Sequence, residues 1–192
     1  MPKPFLITLT GPSGVGKESL GKHLVSVRPR FQLSVSTTTR LRRPGEIQGR
    51  DYFFVTREEF EREAILNQFL EWAQYADHLY GTPRNEIQRA MQAGKTLVAI
   101  VEVKGAKLIK ARVPATLGIF IAPPEPALET LRRRLEKRCT ESQEAIEKRL
   151  AIAADELMEQ SFFDHVITND DLEKTKQELV EYVESFIEAE RV

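Results

Sequence analysis

The sequence predicts an α/β fold: a phosphate-loop (P-loop) parallel sheet flanked by helices, with an inserted small lobe and a helical lid. Three observations support this. Short apolar runs alternate with helical patterns, a glycine-rich loop follows the first apolar run, and the alternation breaks between residues 37 and about 85. Strands separated by helices form parallel sheets with helices on both faces. We therefore predict a single domain over residues 1–192, with a core at 1–36 and 86–192, an insertion at about 37–85 and a lid at about 134–149.

The strands are predicted from short apolar runs bounded by turn residues. Runs of this kind are typical of parallel strands, which are buried on both faces. The predicted strands are residues 5–9, 31–36, 52–55, 96–103, 117–121 and 164–168.

Helices are predicted from apolar spacing and from capping residues. Leu20, Leu24 and Val25 indicate a first helix directly after the glycine-rich loop. Thr56 and Glu59 form a capping box, which predicts a helix inside the insertion. The remaining predicted helices are 85–92, 126–138, 142–158 and a final helix capped by Asp170 with Glu173.

Composition and charge limit the possible function classes. The 28 basic and 29 acidic residues give a net charge of -1, which argues against a dedicated nucleic-acid binder. The single cysteine, Cys139, forms no intrachain disulfide and no cysteine-based zinc site. No apolar run approaches the roughly 20 residues of a membrane span, and no signal peptide is visible. We therefore expect a soluble cytoplasmic protein.

The glycine-rich loop has the spacing of a Walker A motif, with Gly11, Gly16 and Lys17 at its defining positions. Glycines let backbone N–H groups approach phosphate oxygens, the helix N-terminus adds positive potential, and the lysine bridges the β- and γ-phosphates. The strict motif has Ser or Thr directly after the lysine, whereas this chain has Glu18 there and Ser19 next. The alternative is a turn that only caps a strand. The residues predicted to bind ATP here are Gly11, Pro12, Ser13, Gly14, Val15, Gly16, Lys17, Glu18 and Ser19.

The predicted insertion begins with a basic stretch. Arg40 and Arg43 lie three residues apart, and Tyr52 follows. Guanidinium groups grip a phosphate through paired hydrogen bonds, and a phenol can donate another. A solvated basic loop is the alternative. The Ser/Thr run before these arginines and the Gly-x-Asp-Tyr after them favour a second phosphate site.

These motifs together resemble the guanylate kinase family. The resemblance covers about residues 5–185. The segments that carry it are SVSTTTR (34–40), RPGE (43–46), GRDYFFV (49–55), FLEWA (69–73) and YGTP (80–83).

The resemblance implies a GMP site in the insertion. Glu71 would accept hydrogen bonds from the guanine N1–H and N2 amino groups, an adjacent donor pair that adenine lacks. For Glu71 alone, a surface glutamate on an amphipathic helix would be the simpler interpretation. Glu102 matches a family aspartate, with the same charge on a longer arm. Ile100 stands two residues earlier, where the family often has another acid, so the role of Glu102 is open. The residues assigned to GMP by this resemblance are Ser36, Arg40, Arg43, Tyr52, Glu71, Tyr80, Thr82 and Glu102.

The resemblance also implies an arginine-bearing lid. Phosphoryl transfer needs positive charge around the moving group. Arg134, Arg138 and Arg149 match the lid arginines and, with Lys17, are the predicted catalytic residues. The neighbouring Arg132 and Arg133 are expected to be solvated, and Cys139 to be incidental. Asn169, in the segment that matches the family's last strand, is expected near the adenine of ATP.

The activity implied is phosphorylation of GMP, and of dGMP, with ATP and Mg²⁺. No direct protein ligand to the metal is assigned. We expect small-molecule substrates, no nucleic acid and no membrane, and the sequence leaves the oligomeric state open. Three alternatives remain: a guanylate-kinase-like peptide-binding module, for which Glu18 is the main support, a ribose 1,5-bisphosphate kinase, and a nucleic-acid binder using the cluster at 132–134.

Overall fold

The predicted alternation of strands and helices is present in the structure, a computed structural model that describes residues 6–75, 77–137 and 142–189. Its elements in chain order are β1 (Leu6–Thr10), α1 (Lys17–Val27), β2 (Phe31–Leu33), β3 (Thr37–Thr38), β4 (Phe53–Phe54), α2 (Arg57–Ile65), β5 (Phe69–Tyr75), β6 (His78–Pro83), α3 (Arg84–Gln92), β7 (Thr96–Ile100), α4 (Val103–Arg112), β8 (Leu117–Ala122), α5 (Ala127–Glu136), α6 (Gln143–Met158), β9 (His165–Thr168) and α7 (Leu172–Ala189).

The main sheet contains five strands in the order β2-β7-β1-β8-β9, and all of its pairs are parallel. The central strand β1 is buried throughout. Its side chains alternate between two cores, as they must in a strand with period two. Ile7 and Leu9 join a core with α1, α5, α6 and α7, whereas Leu6 joins a core with α3 and α4. The predicted parallel sheet flanked by helices is confirmed.

A second, four-stranded sheet in the order β4-β3-β6-β5 lies between residues 37 and 83. We call these residues the small lobe. Its β5–β6 pair is an antiparallel hairpin, and β3 joins β6 antiparallel and β4 parallel. Helix α2 begins with the predicted capping box between Thr56 and Glu59. Its Phe60 is fully buried and stacks on Phe69 at 4.5 Å between ring centroids, which holds the helix against the hairpin.

Several element predictions need correction. The apolar run at 96–103 is strand only to Ile100, and Val103 begins helix α4. Both elements are buried, so apolar character could not mark the change between them. The strand predicted at 31–36 ends at Leu33.

The cap of the last helix was also predicted wrongly. Asp171, not Asp170, accepts a hydrogen bond from the backbone N–H of Lys174 at 3.0 Å. Asp171 directly precedes the first helical residue, Leu172, which is the position that can reach the first-turn donors.

Candidate active site

The loop between β1 and α1 has the backbone conformation that its glycines allow. Gly11 has φ 132°, and a Cβ there would lie 2.2 Å from the carbonyl oxygen of Ile121 on β8. Gly16 has φ 106°, and a Cβ there would lie 2.6 Å from the Asn169 side-chain nitrogen. Larger residues would therefore be strained and would clash. The loop wraps directly onto the N-terminus of α1, where backbone N–H groups can bind an anion.

The Lys17 side chain folds back over this loop and binds its backbone carbonyl oxygens. It is only 8% exposed, and its Nζ donates to the carbonyl oxygens of Gly11 and of Pro12, the latter at 3.3 Å. The Oε2 atom of Glu102 lies 3.4 Å from the same ammonium group. Glu102 precedes α4 but makes no side-chain capping bond to it. The structure thus makes Glu102 a partner of the loop lysine.

Glu18 lies in the first turn of α1, is exposed and lines the cleft described below. A carboxylate is favourable at this end of a helix. Ile100 also lines the cleft, and a Cβ on Gly21 would lie 2.7 Å from its Cδ1 atom. The side chain of Ile100 therefore points at α1, one turn beyond Glu18.

Arg40 forms the centre of a basic pocket in the small lobe. It is 9% exposed, and it donates to Glu46 at 2.6 Å and to the carbonyl oxygen of Leu41 at 2.7 Å. Its guanidinium carbon lies 5.5 Å from the ring centroid of Tyr52. Burial lowers the pKa of Arg40, but the bond to Glu46 and nearby charges outweigh burial and raise it overall. Arg40 is therefore a permanently charged group fixed in orientation.

Arg43 completes this pocket through its backbone. Its N–H donates to the second oxygen of Glu46 at 2.7 Å, and its side chain lines the cleft. Glu46 therefore holds both predicted phosphate-binding arginines. Glu46 was not among the predicted site residues, although its place three residues after Arg43 is a signal for a local contact.

Glu71 lies on β5 and is 3% exposed. Its Oε1 accepts a hydrogen bond from the Thr82 hydroxyl at 2.7 Å, and Thr82 is directly opposite on β6. Burial raises the pKa of Glu71 to about 7, although the hydrogen bonds from Thr82 oppose this. A Cβ on Gly105 would lie 2.7 Å from its other oxygen, so α4 approaches that oxygen closely. The alternative of a surface glutamate on a helix is wrong.

Three tyrosines form a row along the lobe side of the cleft. The ring centroids of Tyr52 and Tyr80 are 6.2 Å apart, and those of Tyr80 and Tyr75 are 6.5 Å apart, both edge-on. Tyr75 was not predicted as a site residue. Its alternation with Glu71 on the same strand is the signal that could have found it.

Two predicted residues lie behind the phosphate loop. The Nδ2 atom of Asn169 donates to the carbonyl oxygen of Val15 at 2.7 Å, and Arg134 donates to the carbonyl oxygen of Asn169 at 2.7 Å. Of the described residues, neither is part of the cleft lining. Burial lowers the pKa of Arg134. In this conformation both residues support the loop from outside.

Arg149 enters the cleft from α6. Its Nη1 donates to the hydroxyl of Ser13 in the phosphate loop at 2.8 Å. Glu156, two turns later on α6, is 7% exposed and also lines the cleft. Burial and the nearby Glu102 raise the pKa of Glu156 to about 8, which Lys17 partly opposes. A glutamate on the buried face of α6 was the available signal for it. The predicted Arg138 and Cys139 lie outside the described residues.

One cleft of about 1100 Å³ joins these groups. The phosphate loop and Glu18 form one wall, the small lobe another, and α4 and α6 the rest. Thr82 does not line the cleft itself, but its hydroxyl donates to Glu71, which does. The predicted site residues that line the cleft are Pro12, Ser13, Gly14, Val15, Gly16, Lys17, Glu18, Ser19, Ser36, Arg40, Arg43, Tyr52, Glu71, Tyr80, Glu102 and Arg149.

Two features are absent from the part of the chain that the structure describes. No group of three or more His, Cys, Asp or Glu side chains is arranged to hold a metal ion by itself. None of its helices has the length and apolar character needed to cross a membrane.

Comparison with known proteins gives concordant matches. A family model described as guanylate kinase matches residues 3–186. A guanylate kinase of Rubrobacter xylanophilus is 41% identical over 182 residues, 95% of this chain and 94% of that protein. One from Synechocystis is 44% identical over 181 residues, 94% of each chain. The crystal structure of guanylate kinase from Anaplasma phagocytophilum matches with a TM-score of 0.75 at 28% identity, covering 96% of this chain and 87% of that one.

Proposed function

The chain belongs to the guanylate kinase family, and from this premise we propose that its cleft transfers the γ-phosphoryl group of ATP to GMP. The reaction yields GDP and ADP. In our proposal the core, 1–36 and 86–192, binds ATP, and the insertion at about 37–85 binds GMP. The lid at about 134–149 covers the transferring group.

The buried pair of Glu71 and Thr82 carries the proposal for GMP. Glu71 has two oxygens on the cleft side of β5, and a carboxylate accepts the adjacent N1–H and N2 amino donors of guanine. Its burial makes a mismatched base costly, because an unpaired buried acceptor loses its hydration without replacement. Adenine offers no matching donors. Because these contacts involve the base only, we propose that dGMP is also a substrate.

The two phosphate sites follow from the distribution of positive charge. We propose that Arg40, Arg43, Tyr52 and Tyr80 bind the GMP phosphate, with Ser36 near the base. Glu46 already fixes the orientation of Arg40, so little ordering remains to be done on binding. The phosphate loop, with Lys17, would bind the phosphates of ATP.

The chemistry required is a direct displacement. An oxygen of the GMP phosphate bonds to the γ-phosphorus of ATP as the bond to the β–γ bridging oxygen breaks, and ADP leaves with that electron pair. Lys17 and Arg149 would neutralise charge on the phosphate oxygens during transfer. To do so, Lys17 would give up its ion pair with Glu102. We propose that Arg138 and Arg134 add further charge when the lid closes.

Mg²⁺ bound with ATP is part of the proposal, and the residues present fit it. Mg²⁺ prefers oxygen ligands and keeps several of its waters. Glu18 and Ser19 supply oxygens at the loop–helix junction, where the strict motif has a hydroxyl on the residue after the lysine. We propose that Glu18 holds a metal-bound water in place of that hydroxyl. When bound, the metal neutralises charge on the triphosphate.

The products of a single reaction test the proposal. The protein is incubated with Mg²⁺, ATP and one acceptor, which is GMP, AMP or ribose 1,5-bisphosphate, and the nucleotides are separated by chromatography. Equal amounts of GDP and ADP, formed when GMP is the acceptor and not with the other two acceptors, would support the proposed function. Turnover of ribose 1,5-bisphosphate instead would indicate the sister kinase. No phosphorylated product from any acceptor would favour a binding module.

We propose further that ATP and GMP are the only partners required and that the enzyme works in the cytoplasm. The near-neutral charge supports the exclusion of nucleic acid, since a dedicated binder would carry a basic excess.

A further inference from the structure

The hydroxyl of Tyr75 is buried and makes no well-formed hydrogen bond to the described residues, although the Ser13 side chain lies beside it. Tyr75 is 9% exposed, and it lines the cleft. A buried hydroxyl without a partner is unfavourable, and such groups are rare in native proteins unless they serve a ligand. Because Tyr75 also lines the cleft, its surroundings there show which groups could become its partner.

The register of the β5–β6 hairpin places Tyr75 beyond the predicted GMP phosphate site. Glu71 pairs with Thr82, Ala73 with Tyr80 and Tyr75 with His78, in order along the hairpin. At about 3.3 Å per residue, Tyr75 lies roughly 13 Å along the strand from Glu71. Tyr75 therefore lies farther along the hairpin than both the proposed base site at Glu71 and the position of Tyr80. It brings Tyr75 to the end of the hairpin that faces the phosphate loop.

The groups around the hydroxyl come from the ATP side of the cleft. Burial, Glu102 and Glu156 raise the pKa of Tyr75, whereas Arg149 and the Ser13 hydroxyl oppose the rise. Ser13 belongs to the phosphate loop and accepts the hydrogen bond from Arg149. Tyr75 thus lies where the small lobe, the phosphate loop and α6 meet. The raised pKa keeps the hydroxyl protonated, so it can donate.

We propose that the Tyr75 hydroxyl donates a hydrogen bond to the phosphoryl group as it passes from ATP to GMP. This inference rests on the proposed function, because it requires phosphates on both sides of Tyr75. In the row of tyrosines, Tyr52 and Tyr80 contact the GMP phosphate, and Tyr75 contacts the transferred group. In this proposal the Tyr75 hydroxyl gains a phosphoryl oxygen as its partner when Arg149 turns from Ser13 to the same phosphoryl group.

No bond to Tyr75 forms or breaks in this role. The phenol remains protonated and supplies a neutral donor to an oxygen whose charge changes during transfer. A donor of this kind is most valuable in the transition state, so its removal lowers kcat more than it raises either KM.

The test is the variant Tyr75→Phe, which removes one oxygen atom and leaves the ring in place. We expect kcat with GMP and Mg·ATP to fall roughly 10- to 100-fold, with both KM values changing less than about threefold. The melting temperature of the ligand-free variant should equal or exceed that of the wild type, because the lost hydroxyl makes no well-formed hydrogen bond in the ligand-free fold. Tyr182→Phe is the matched control. Tyr182 stacks on His165 away from the cleft, and that variant should keep the wild-type kcat.

The outcomes separate this inference from the proposed function. A wild-type enzyme that phosphorylates GMP while Tyr75→Phe keeps kcat within twofold overturns the role of Tyr75 alone. A fall in kcat accompanied by a lower melting temperature also overturns it, because the hydroxyl would then be structural. A wild-type enzyme without activity on GMP overturns both proposals.

Discussion

The Thr82 hydroxyl donates to Glu71 at 2.7 Å directly across the β5–β6 pair, and this contact fixes one oxygen of a carboxylate that is almost fully buried. The backbone pairing holds the two side chains opposite each other, so the acceptor geometry exists before any substrate binds. A preformed acceptor of this kind loses little ordering free energy on binding its ligand.

Glu71→Gln should weaken GMP binding selectively. The amide replaces one acceptor with a donor that faces the guanine donors, which costs about 1–3 kcal/mol or more. We expect the GMP KM to rise roughly 10- to 100-fold and the ATP KM to stay within about twofold. Steady-state kinetics with each substrate varied in turn measures both. Glu58→Gln, an exposed change in the first turn of α2, is the control. An unchanged GMP KM would remove Glu71 from the base site.

The same variant should be more stable than the wild type at alkaline pH. The pKa of Glu71 is about 7 in the fold, above its ordinary value of 4.5, so ionisation disfavours the folded state. The wild type therefore loses stability as pH rises through this window, and the neutral glutamine does not. We expect the free energy of unfolding of the variant to exceed that of the wild type by ~1–3 kcal/mol at pH 8. Each kcal/mol should raise the melting temperature by ~2–4 °C. Thermal unfolding at pH 8 and pH 5.5 should show a gap that narrows at the lower pH. An equal gap at both would contradict this.

Glu18→Ala should change the metal dependence of the reaction. If Glu18 holds a metal-bound water, the Mg²⁺ concentration for half-maximal rate should rise, while the GMP KM stays nearly unchanged. Binding of Mg²⁺ to the complex with ADP, followed by calorimetry, should weaken in parallel and gives a readout independent of turnover. Unchanged Mg²⁺ dependence together with tighter ATP binding would instead show that Glu18 only repels the phosphates.

Substrate binding should compact the molecule in two steps. The small lobe already contacts the core, since Lys22 on α1 lies 3.3 Å from Asp51 in the lobe. GMP should draw residues 37–85 further in, and the lid at 134–149 should close fully only with both nucleotides. The radius of gyration from X-ray scattering should fall with GMP and again with a bisubstrate analogue. AMP is the control and should have no effect. Superimposable curves would contradict closure.

Local patterns were sufficient to predict the phosphate loop and the basic pocket. Gly11, Gly16 and Lys17 lie in one short segment of the sequence, so their spacing alone is enough to predict the loop. The resemblance assigned Glu71 and Thr82 to one site, and the structure places the two side chains in contact. The β5 sequence does not alternate clearly enough to predict the strand that carries Glu71. Those two residues became neighbours through hairpin pairing, which spacing along the chain does not reveal.

Contacts between distant segments could not be predicted. Glu102 reaches Lys17 because β7 and β1 are adjacent parallel strands whose ends meet at one edge of the sheet. Arg134 matches the lid pattern, yet it donates to the carbonyl oxygen of Asn169 behind the loop, because only the folded chain brings these two distant residues together. Tyr75 resembles any aromatic strand residue until the fold shows its hydroxyl buried between the two proposed phosphate sites.

The ratio of kcat/KM values for GMP, IMP and AMP with Mg·ATP tests the central claim most directly. IMP keeps the N1–H but lacks the N2 amino group, and AMP lacks both donors. A site that hydrogen-bonds its substrate rejects analogues without those groups by about 10⁴-fold. The proposed function predicts GMP first, IMP intermediate and AMP lowest by about that factor. Equal kcat/KM values for GMP and AMP would contradict guanine reading by Glu71 and, with it, the assignment of GMP as the substrate.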